Sequence, residues 1–470
     1  MIIDQEKLAR QELGVTRWFD NNCIGIFDWH TGVGKTFGSE RVIKAIEKIQ
    51  KDTYVIVVPS DALVKQWKAK LNQRFPKHLL ERIIIKTPHT LLSENVVYEC
   101  GTLIIDEVHE FWTEERLKIL DRKTIIKCKR ILGLTASTDD KNFRAITRLL
   151  PIVDVISKEE AEEKGFVALF VEYNLGLNLN SKELESYQNF SNTINELMPK
   201  FQKDISLAQK IISGGKDKFG KYWSGAGYAY SLARKNGWKI DLNLNVTEER
   251  EINDSYNPNI LVIQARQLMT AVRVRRDILF TCVSKYNATL EIAKKFDKVK
   301  TIIFSETIEF ADNIGIILND NKHSTVTYHS GLKTIMTTSP KSGKFIKMGK
   351  TRLKALAIES INTGKARILS TTKALDRGLD VEDLRLSVTT SGTQNPTQYK
   401  QRNGRTGRKE KGIFGDVPVL LINLYIIGTQ DEKWLRARQI NNTVLPIEVT
   451  LVEDINYFPP SNKEYIIDDM

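Results

Sequence analysis

A glycine-rich segment that ends in lysine and threonine gives the strongest chemical signal in the sequence. Thr31-Gly32-Val33-Gly34-Lys35-Thr36 follows the apolar run Ile24 to Phe27, which predicts a buried strand, and precedes a predicted helix from about Thr36 to Lys51. Glycines allow consecutive backbone N–H groups to face a phosphate, and the helix N-terminus adds positive potential. Lys35 can then reach the β- and γ-phosphates of a nucleoside triphosphate, and the Thr36 hydroxyl can bind Mg²⁺. One position departs from the G-x-x-x-x-G-K-T pattern, because its first residue is Trp29.

Two adjacent carboxylates give the second signal. Asp106 and Glu107 follow the apolar run Thr102 to Ile105, which predicts another strand, and they stand about 70 residues after the glycine-rich segment. At a strand end Asp106 can bind Mg²⁺, often through water, and Glu107 can orient and activate an attacking water. An isolated Asp-Glu pair is usually a surface feature, but its position after a phosphate-binding segment favours a catalytic role.

A third segment, Gln401-Arg402-Asn403-Gly404-Arg405-Thr406-Gly407-Arg408, combines glycines with arginines. Arg405 and Arg408 are three residues apart, so a helix would present both guanidinium groups on one face. Negative charge that develops on a transferring phosphoryl group is stabilised by such cations. A basic surface turn and a clamp on a nucleic-acid backbone are the alternatives for this segment.

Short apolar strands separated by predicted helices organise both ends of the chain, and this alternation predicts parallel sheets with helical crossovers. The remaining predicted strands are Tyr54 to Val58, Arg82 to Lys86, Lys129 to Leu134, Thr301 to Phe304, Ser324 to Tyr328, Ala366 to Ser370, Leu386 to Thr390 and Pro418 to Leu424. The sequence therefore predicts an α/β domain over residues 1–156 and a second over 297–470. Residues 157–296 are predicted to form a linker and a mainly helical insertion attached to the second domain.

The composition indicates a globular protein with a polyanionic partner. The 470 residues are 41% hydrophobic and carry a net charge of +12, an excess that suits nucleic acid. Four cysteines (Cys23, Cys100, Cys128 and Cys282) form no C-x-x-C pair and have no histidine at ligand spacing. We therefore expect no zinc site and no disulfide framework. The N-terminus lacks the pattern of a signal peptide, and no run approaches the ~18 apolar residues of a membrane span, so we expect a cytoplasmic protein.

Two regions carry charge that the motifs do not use. The middle of the chain contains the glycine- and aromatic-rich stretch Lys216 to Tyr230 and an arginine-rich stretch from Arg266 to Arg276. Lys333 to Lys354 contains seven Lys or Arg residues and no acidic residue, and Ser339 to Gly343 predicts a flexible loop there. The middle stretch is interpreted as a solvated helical insertion, a contact for nucleic acid or a brace between domains. Lys333 to Lys354 is interpreted as a solvated basic loop or as an arm that binds a duplex or a junction.

Taken in order, these segments resemble the motif set of superfamily 2 helicases. The resemblance covers about residues 10 to 410, and the matching segments are Gln11 with Trp18, Thr31 to Thr36 (motif I), Val58 to Trp67 (Ia), Thr87 to His89 (Ib), Asp106 to His109 (a DExH form of motif II), Thr135 to Ser137 (III), Ile303 to Ser305 (IV), Tyr328 to Gly331, Thr372 to Asp380 (V) and Gln401 to Arg408 (VI). The resemblance implies two RecA-like domains that bind ATP and Mg²⁺ between them and act on nucleic acid.

The resemblance also implies roles for individual residues. The glutamine Gln11 would recognise adenine, and Gly378 and Asp380 would contact the nucleotide from the second domain. Arg405 and Arg408 would sense the γ-phosphate, with Gln401 beside them in the catalytic set. The nucleic-acid backbone would be held by small hydroxyls and loop N–H groups, for which the candidates are Pro59, Ser60, Thr87, Ser305 and Thr371. Coupling between the ATP and nucleic-acid sites is assigned to His109, Thr135 and Ser137.

Three details favour DNA as the substrate. Motif II is not of the DEAD form, and Gln66-Trp67 and the arginine-rich stretch before motif IV, with Lys285 after it, look more like DNA-remodelling members. Phage branch-migration helicases of the UvsW type are the most similar group, with XPB and type I restriction motors related to them. We therefore expect a monomeric motor that acts on forks and junctions. An RNA helicase, a motor subunit of a nuclease, and a binding protein that has lost hydrolysis are the alternatives.

Overall fold

The computed structural model describes residues 5–94, 96–136, 143–167, 169–216, 221–223, 225–235, 237–243, 255–338, 345–372, 381, 384–394, 396, 398–399, 402–403, 418–440 and 445–459. The chain divides into two compact units. One unit combines Met1–Gly176 with Ala288–Met470, and the other is Leu177–Asn287.

The first sheet consists of six parallel strands from the N-terminal third of the chain. They are β1 (Ile24–Trp29), β2 (Tyr54–Val57), β3 (Ile83–Lys86), β4 (Tyr98–Ile105), β5 (Ile126–Thr135) and β6 (Ile152–Ile156). Their order across the sheet is β3-β2-β4-β5-β1-β6, and neighbouring strands pair in parallel. Because β1 and β4 are neighbours of β5, the segments that follow these strands emerge at the same edge of the sheet.

Helices cover this sheet and bury both of its faces. They are α1 (Gln5–Asp20), α2 (Lys35–Ile49), α3 (Asp61–Arg74), α4 (Lys77–Leu80), α5 (Pro88–Ser93), α6 (Glu114–Leu120), α7 (Phe143–Thr147) and α8 (Lys158–Glu163). Successive residues of β4 pack into separate core clusters on opposite faces of the sheet. Ile104 belongs to the cluster of Trp18 and Val42, and Ile105 belongs to the cluster of Ile119. Burial on both faces explains why these strands are continuous apolar runs in the sequence.

Seven strands form the second sheet, and they are β7 (Phe170–Leu177), β12 (Thr301–Phe304), β13 (Thr325–Tyr328), β16 (Ile368–Thr371), β17 (Leu386–Thr389), β18 (Val419–Ile426) and β19 (Ile447–Val449). Their order across the sheet is β13-β16-β12-β17-β18-β7-β19. Strand β12 lies at the centre between β16 and β17 and pairs with both in parallel. The helices of this domain are α13 (Val283–Lys295), α14 (Ile308–Asp320), α15 (Lys350–Asn362) and α16 (Gln430–Arg438). The prediction of two parallel α/β domains is confirmed, although β7 comes from the stretch that was predicted to be a linker.

A two-stranded ribbon replaces most of the predicted basic loop. Strands β14 (Ile335–Thr338) and β15 (Phe345–Met348) pair antiparallel with each other, and α15 begins at Lys350. The interpretation of Lys333 to Lys354 as a loop is therefore wrong for its described parts. Ser339 to Gly343 lies outside the described residues.

The second unit is mainly helical, as the sequence predicts. Its helices are α9 (Ser181–Leu197), α10 (Ile205–Ser213), α11 (Gly225–Lys235) and α12 (Pro258–Thr281), and its short strands are β8 (Gly215–Lys216), β9 (Tyr222–Trp223), β10 (Lys239–Ile240) and β11 (Ser255–Tyr256). The four helices share a core that includes Leu197, Ile211 and Leu268. Within the described residues, no helix combines the length and the apolar content that crossing a membrane requires.

Candidate nucleotide-binding site

The glycine-rich segment is a loop between the end of β1 and the start of α2. Gly32 and Gly34 have φ angles of 92° and 99°, a region that side chains with a Cβ rarely adopt. The two glycines turn the chain so that α2 begins at Lys35 with its first N–H groups free of helical partners. The Lys35 Nζ donates to the carbonyl oxygen of Trp29 at 3.3 Å, across the mouth of the loop. This arrangement suits the binding of an anion at the helix N-terminus.

Gln11 braces the loop from α1. Its side chain is only 3% exposed, and its Nε2 donates to the carbonyl oxygen of Val33 at 2.8 Å. A Cβ atom added to Gly34 would lie 2.9 Å from the same Nε2, so the glycine also leaves room for the amide. The structure therefore places Gln11 at the loop, and its recognition of adenine stays a prediction.

Trp29 occupies the first position of the phosphate-loop pattern and packs into the core. Its ring stacks on Phe27 with centroids 4.5 Å apart, and its Nε1 donates to Asp154 Oδ2 at 2.6 Å. A Cβ atom added to Gly14 of α1 would lie 2.5 Å from the indole ring, and one added to Gly38 of α2 would lie 2.4 Å from it. The indole thus fills a slot between two helices that glycines create, and this explains the departure from the sequence pattern.

The two carboxylates follow the end of β4. Asp106 is buried, and its two oxygens accept hydrogen bonds from Trp67 Nε1 and from the Glu107 N–H, each at 3.1 Å. Burial and the neighbouring charge of Glu107 raise the pKa of Asp106 to about 6, against the opposing effect of the Lys35 ammonium. Glu107 itself has a φ of 51°, an uncommon conformation for a non-glycine residue that often marks a functional position.

The donor set fits a magnesium ion that a nucleotide would bring. The Glu107 Oε2 atom is buried and has no hydrogen-bond partner, and Asp106 is a buried carboxylate beside it. Among the described residues no three His, Cys, Asp or Glu side chains cluster as metal ligands. This composition is compatible with Mg²⁺, which commonly takes one or two carboxylates plus substrate phosphates and waters. Thr36 and Asp106 are the residues that would hold it.

His109 connects the carboxylates to the end of β5. It lies in the short 3-10 helix Val108–Glu110 that follows the carboxylates. Its Nδ1 is 3.1 Å from the Thr135 hydroxyl and 3.4 Å from Glu107 Oε2. The structure thus brings His109 and Thr135 together, whereas Ser137 lies outside the described residues.

The hydroxyls proposed to contact nucleic acid are mostly engaged inside the domains. Ser305 and Thr371 are fully buried, and they donate to the carbonyl oxygens of Thr307 and Tyr328. Thr87 is buried and accepts from the Thr90 N–H as the N-cap of α5. The hydroxyls of these three residues are thus engaged in hydrogen bonds within their own domains. Pro59 and Ser60 are partly exposed, and nucleic-acid contact stays a prediction for all five.

Five further site residues (Gln401, Arg405, Arg408, Gly378 and Asp380) lie outside the described residues. Of the motif that contains the arginines, Arg402 is described and is buried. It donates to Glu306 Oε1 at 2.9 Å, with both side chains only 3% exposed, and to the carbonyl oxygen of Ser391. The sequence does not indicate this pair, because no motif or spacing connects residues 306 and 402.

Comparisons with known proteins give two family matches. Residues 5–140 match the family described as type III restriction enzyme, res subunit, and residues 284–410 match the helicase conserved C-terminal domain. A relative, the DNA 3′-5′ translocase XPB2 of Sulfurisphaera tokodaii, is 23% identical over 88% of this chain and 80% of its own length. The ATP-dependent RNA helicase DBP5 of Lodderomyces elongisporus is 25% identical over 37% of this chain and 31% of its own length.

Solved structures share the fold at low sequence identity. The Pyrococcus furiosus Hef helicase domain aligns with a TM-score of 0.52 at 15% identity and covers 90% of this chain and 96% of that one. Dbp5 of S. cerevisiae, bound to RNA and ADP BeF3, aligns with a TM-score of 0.55 at 14% identity, over 94% and 89%. Both likenesses bear on the fold, and they agree with two RecA-like sheets.

Proposed function

Because the chain belongs to the superfamily 2 helicases and is therefore a nucleic-acid-dependent ATPase, we propose that it is a DNA motor that remodels branched DNA. The observation that carries the ATPase part is the meeting of Lys35, Asp106 and Glu107 at one edge of the first sheet. The match to a DNA translocase over 88% of the chain supports DNA. The match to an RNA helicase covers 37%.

In this proposal the first domain binds and polarises the triphosphate. Lys35 neutralises the β- and γ-phosphates, and the loop N–H groups after Gly34 hold their oxygens. Glu107 orients the attacking water and accepts its proton. Mg²⁺, held by Thr36 and Asp106, would supply further neutralisation of the phosphate charge when bound.

The second domain would complete the site. Arg405 and Arg408 gain an anionic partner only when the two domains close on ATP, and hydrolysis removes that partner. His109 and Thr135 would transmit the change, because their contact joins the carboxylate segment to the end of β5. Each cycle would then shift one domain along the strand.

Branched DNA of the kind used by UvsW-type enzymes is the finer part of the proposal. The ribbon β14–β15 and the start of α15 carry cations without any acidic residue between Lys333 and Lys354. Lys333, Lys347 and Lys350 are exposed. A two-stranded antiparallel ribbon has dimensions that fit the major groove of duplex DNA. We therefore interpret this segment as a duplex-binding arm that engages one branch of a junction.

An RNA helicase is the second candidate, because DBP5 and the RNA-bound Dbp5 are among the relatives in sequence and fold. The test is ATPase stimulation by DNA and by RNA of matched length, followed by unwinding of forks, Holliday junctions, R-loops and simple duplexes. Greater stimulation by DNA with preferred unwinding of forks or junctions supports the proposal. Preferred stimulation by RNA, or equal unwinding of simple and branched duplexes, contradicts it.

A further inference from the structure

Two cysteines lie directly opposite each other in the first sheet. β4 and β5 run parallel, and their register pairs Cys100 with Cys128. Both thiols therefore stand side by side on one face of the sheet, where they pack against the same core cluster, and both side chains are partly exposed. The sequence alone does not reveal this pair, because the two cysteines are far apart along the chain and neither belongs to a cysteine motif.

The register permits a disulfide between these strands. Neighbouring strands lie about 4.8 Å apart, which is within the range of about 4.4–6.8 Å between the Cα atoms of disulfide-bonded cysteines. Side chains that stand parallel on adjacent strands keep their Cβ atoms about 4.8 Å apart, slightly beyond the roughly 3.5–4.5 Å of relaxed disulfides, so the two strands would have to draw together. A bond formed there would carry strain, and strained, accessible disulfides are the readily reduced ones.

The contact gives the two thiols different reactivity. The hydrogen bond from the Cys128 thiol lowers the pKa of Cys100 in spite of partial burial, and the same contact together with burial raises the pKa of Cys128. A thiolate therefore forms first at Cys100. Burial raises the pKa of the other two cysteines, Cys23 and Cys282, and this makes them poorer nucleophiles.

We propose that Cys100 and Cys128 are a redox-active dithiol that a peroxide oxidises to a reversible disulfide. The Cys100 thiolate attacks hydrogen peroxide, so that an S–O bond forms, the O–O bond breaks and hydroxide leaves. The Cys128 sulfur then attacks the resulting sulfenic acid. An S–S bond forms, the S–O bond breaks, and the oxygen leaves as water with the Cys128 proton. Two electrons pass from the sulfurs to the peroxide, and a dithiol reductant reverses the change.

This modification would lie away from the nucleotide site and is independent of the proposed function. Asp106 and Thr135 are six and seven residues further along β4 and β5, or about 20 Å at the rise of a strand. The disulfide would tie together the opposite ends of the two strands that present the carboxylates and Thr135. Since it also closes a loop in the unfolded chain, it should raise the melting temperature.

The test is to treat the full-length protein with hydrogen peroxide and to map its peptides without reduction. We expect a peptide that joins Cys100 to Cys128 and lacks the two thiol hydrogens, a melting temperature higher by several degrees, and reversal of both by dithiothreitol. The variant Cys128→Ser should lose the link and leave a sulfenic acid at Cys100 that dimedone captures. The control variants Cys23→Ser and Cys282→Ser should keep the link.

A second measurement uses the unmodified chain, so it does not depend on whether a variant folds. Phenylarsine oxide binds closely spaced thiols, and one equivalent should protect both Cys100 and Cys128 from iodoacetamide. The proposal would be overturned if iodoacetamide still alkylated both Cys100 and Cys128 after treatment with peroxide. A link that includes Cys23, or equal alkylation with and without the arsenical, would also overturn it.

Discussion

The Nδ1 atom of His109 lies 3.1 Å from the hydroxyl oxygen of Thr135, and the same imidazole nitrogen lies 3.4 Å from Glu107 Oε2. One ring therefore touches both the carboxylate that would activate water and the strand end that leads toward the proposed nucleic-acid surface. A displacement at Thr135 can reach Glu107 through a single side chain. In the proposed motor, this contact would couple hydrolysis to movement.

The first prediction concerns this contact. Thr135→Val keeps the size of the fully buried side chain and removes its hydroxyl, which leaves the His109 ring without that partner. A buried hydrogen bond contributes about 1–3 kcal/mol, and because this one would hold the catalytic segment in its reactive arrangement, its loss should lower DNA-stimulated ATP turnover about 5- to 150-fold. Thr135→Ser retains the hydroxyl and should stay within about twofold of the unmodified protein. Equal stimulated turnover in the valine and serine variants would argue against the coupling role.

The second prediction concerns Lys35. Lys35→Ala removes the cation at the mouth of the phosphate loop, and we expect at least about a hundredfold loss of ATPase activity, because charge on the phosphates is then not neutralised. Lys48→Ala removes an exposed lysine from the same helix and serves as the matched control. Steady-state phosphate release, with and without DNA, measures both. Full activity in Lys35→Ala would overturn the assignment of the site.

The third prediction concerns Gln11. Gln11→Glu preserves the shape of the side chain but replaces the N–H donor to the Val33 carbonyl oxygen with a second acceptor. The loop should lose its brace, and we expect the KM for ATP to rise about tenfold. Glu12→Gln changes the exposed neighbour in α1 and should leave the KM within about twofold. An unchanged KM in Gln11→Glu, measured by initial rates over a range of ATP concentrations, would contradict the bracing role.

The fourth prediction concerns the basic arm. Replacing Lys333, Lys347 and Lys350 by alanine should weaken binding to forked DNA and lower the slope of log affinity against log salt concentration by about 2–3, since each neutralised phosphate contributes about 0.9. ATP turnover per bound complex should be retained. The control replaces the exposed Lys48, Lys51 and Lys77, which changes the net charge equally. An arm variant with the affinity and salt slope of the control would exclude the arm as a contact.

The strands were predictable because burial on both faces leaves a continuous apolar run. The prediction of Thr301 to Phe304 matches the bounds of β12. By contrast, β4 and β5 begin earlier than predicted, at Tyr98 and Ile126. The first residues of both strands include exposed charged side chains such as Glu99 and Lys127. These residues interrupt the apolar pattern, and the backbone hydrogen bonds to the neighbouring strand that extend the element are not visible in the sequence.

Parts of the candidate site that consist of consecutive residues could be predicted from the sequence. Contacts between residues far apart along the chain could not. The phosphate loop and the carboxylates lie at the ends of their predicted strands, as expected. The direction of a small hydroxyl was not predictable, since Ser305 and Thr371 turn inward to backbone carbonyl oxygens. The hydrogen bond from Trp29 to Asp154 joins residues 125 positions apart, and no local pattern indicates it.

The fifth prediction tests the interpretation of Trp29. Trp29→Gly would restore the glycine of the G-x-x-x-x-G-K-T pattern, but it would also empty the slot between Gly14 and Gly38 and remove the hydrogen-bond donor to Asp154. Loss of a large buried aromatic side chain costs about 3–5 kcal/mol, so the free energy of unfolding should fall by at least that much. Urea titration followed by far-ultraviolet circular dichroism measures the loss.

The matched control is Trp112→Gly, because Trp112 is 46% exposed and its truncation should cost far less stability than that of Trp29. If Trp29→Gly instead tightened ATP binding and kept the stability of the unmodified protein, the tryptophan would be dispensable to the core. Trp29 would then have to be explained by the nucleotide rather than by packing. The contacts of the indole with Phe27 and Asp154 argue for packing, because both partners lie within the domain.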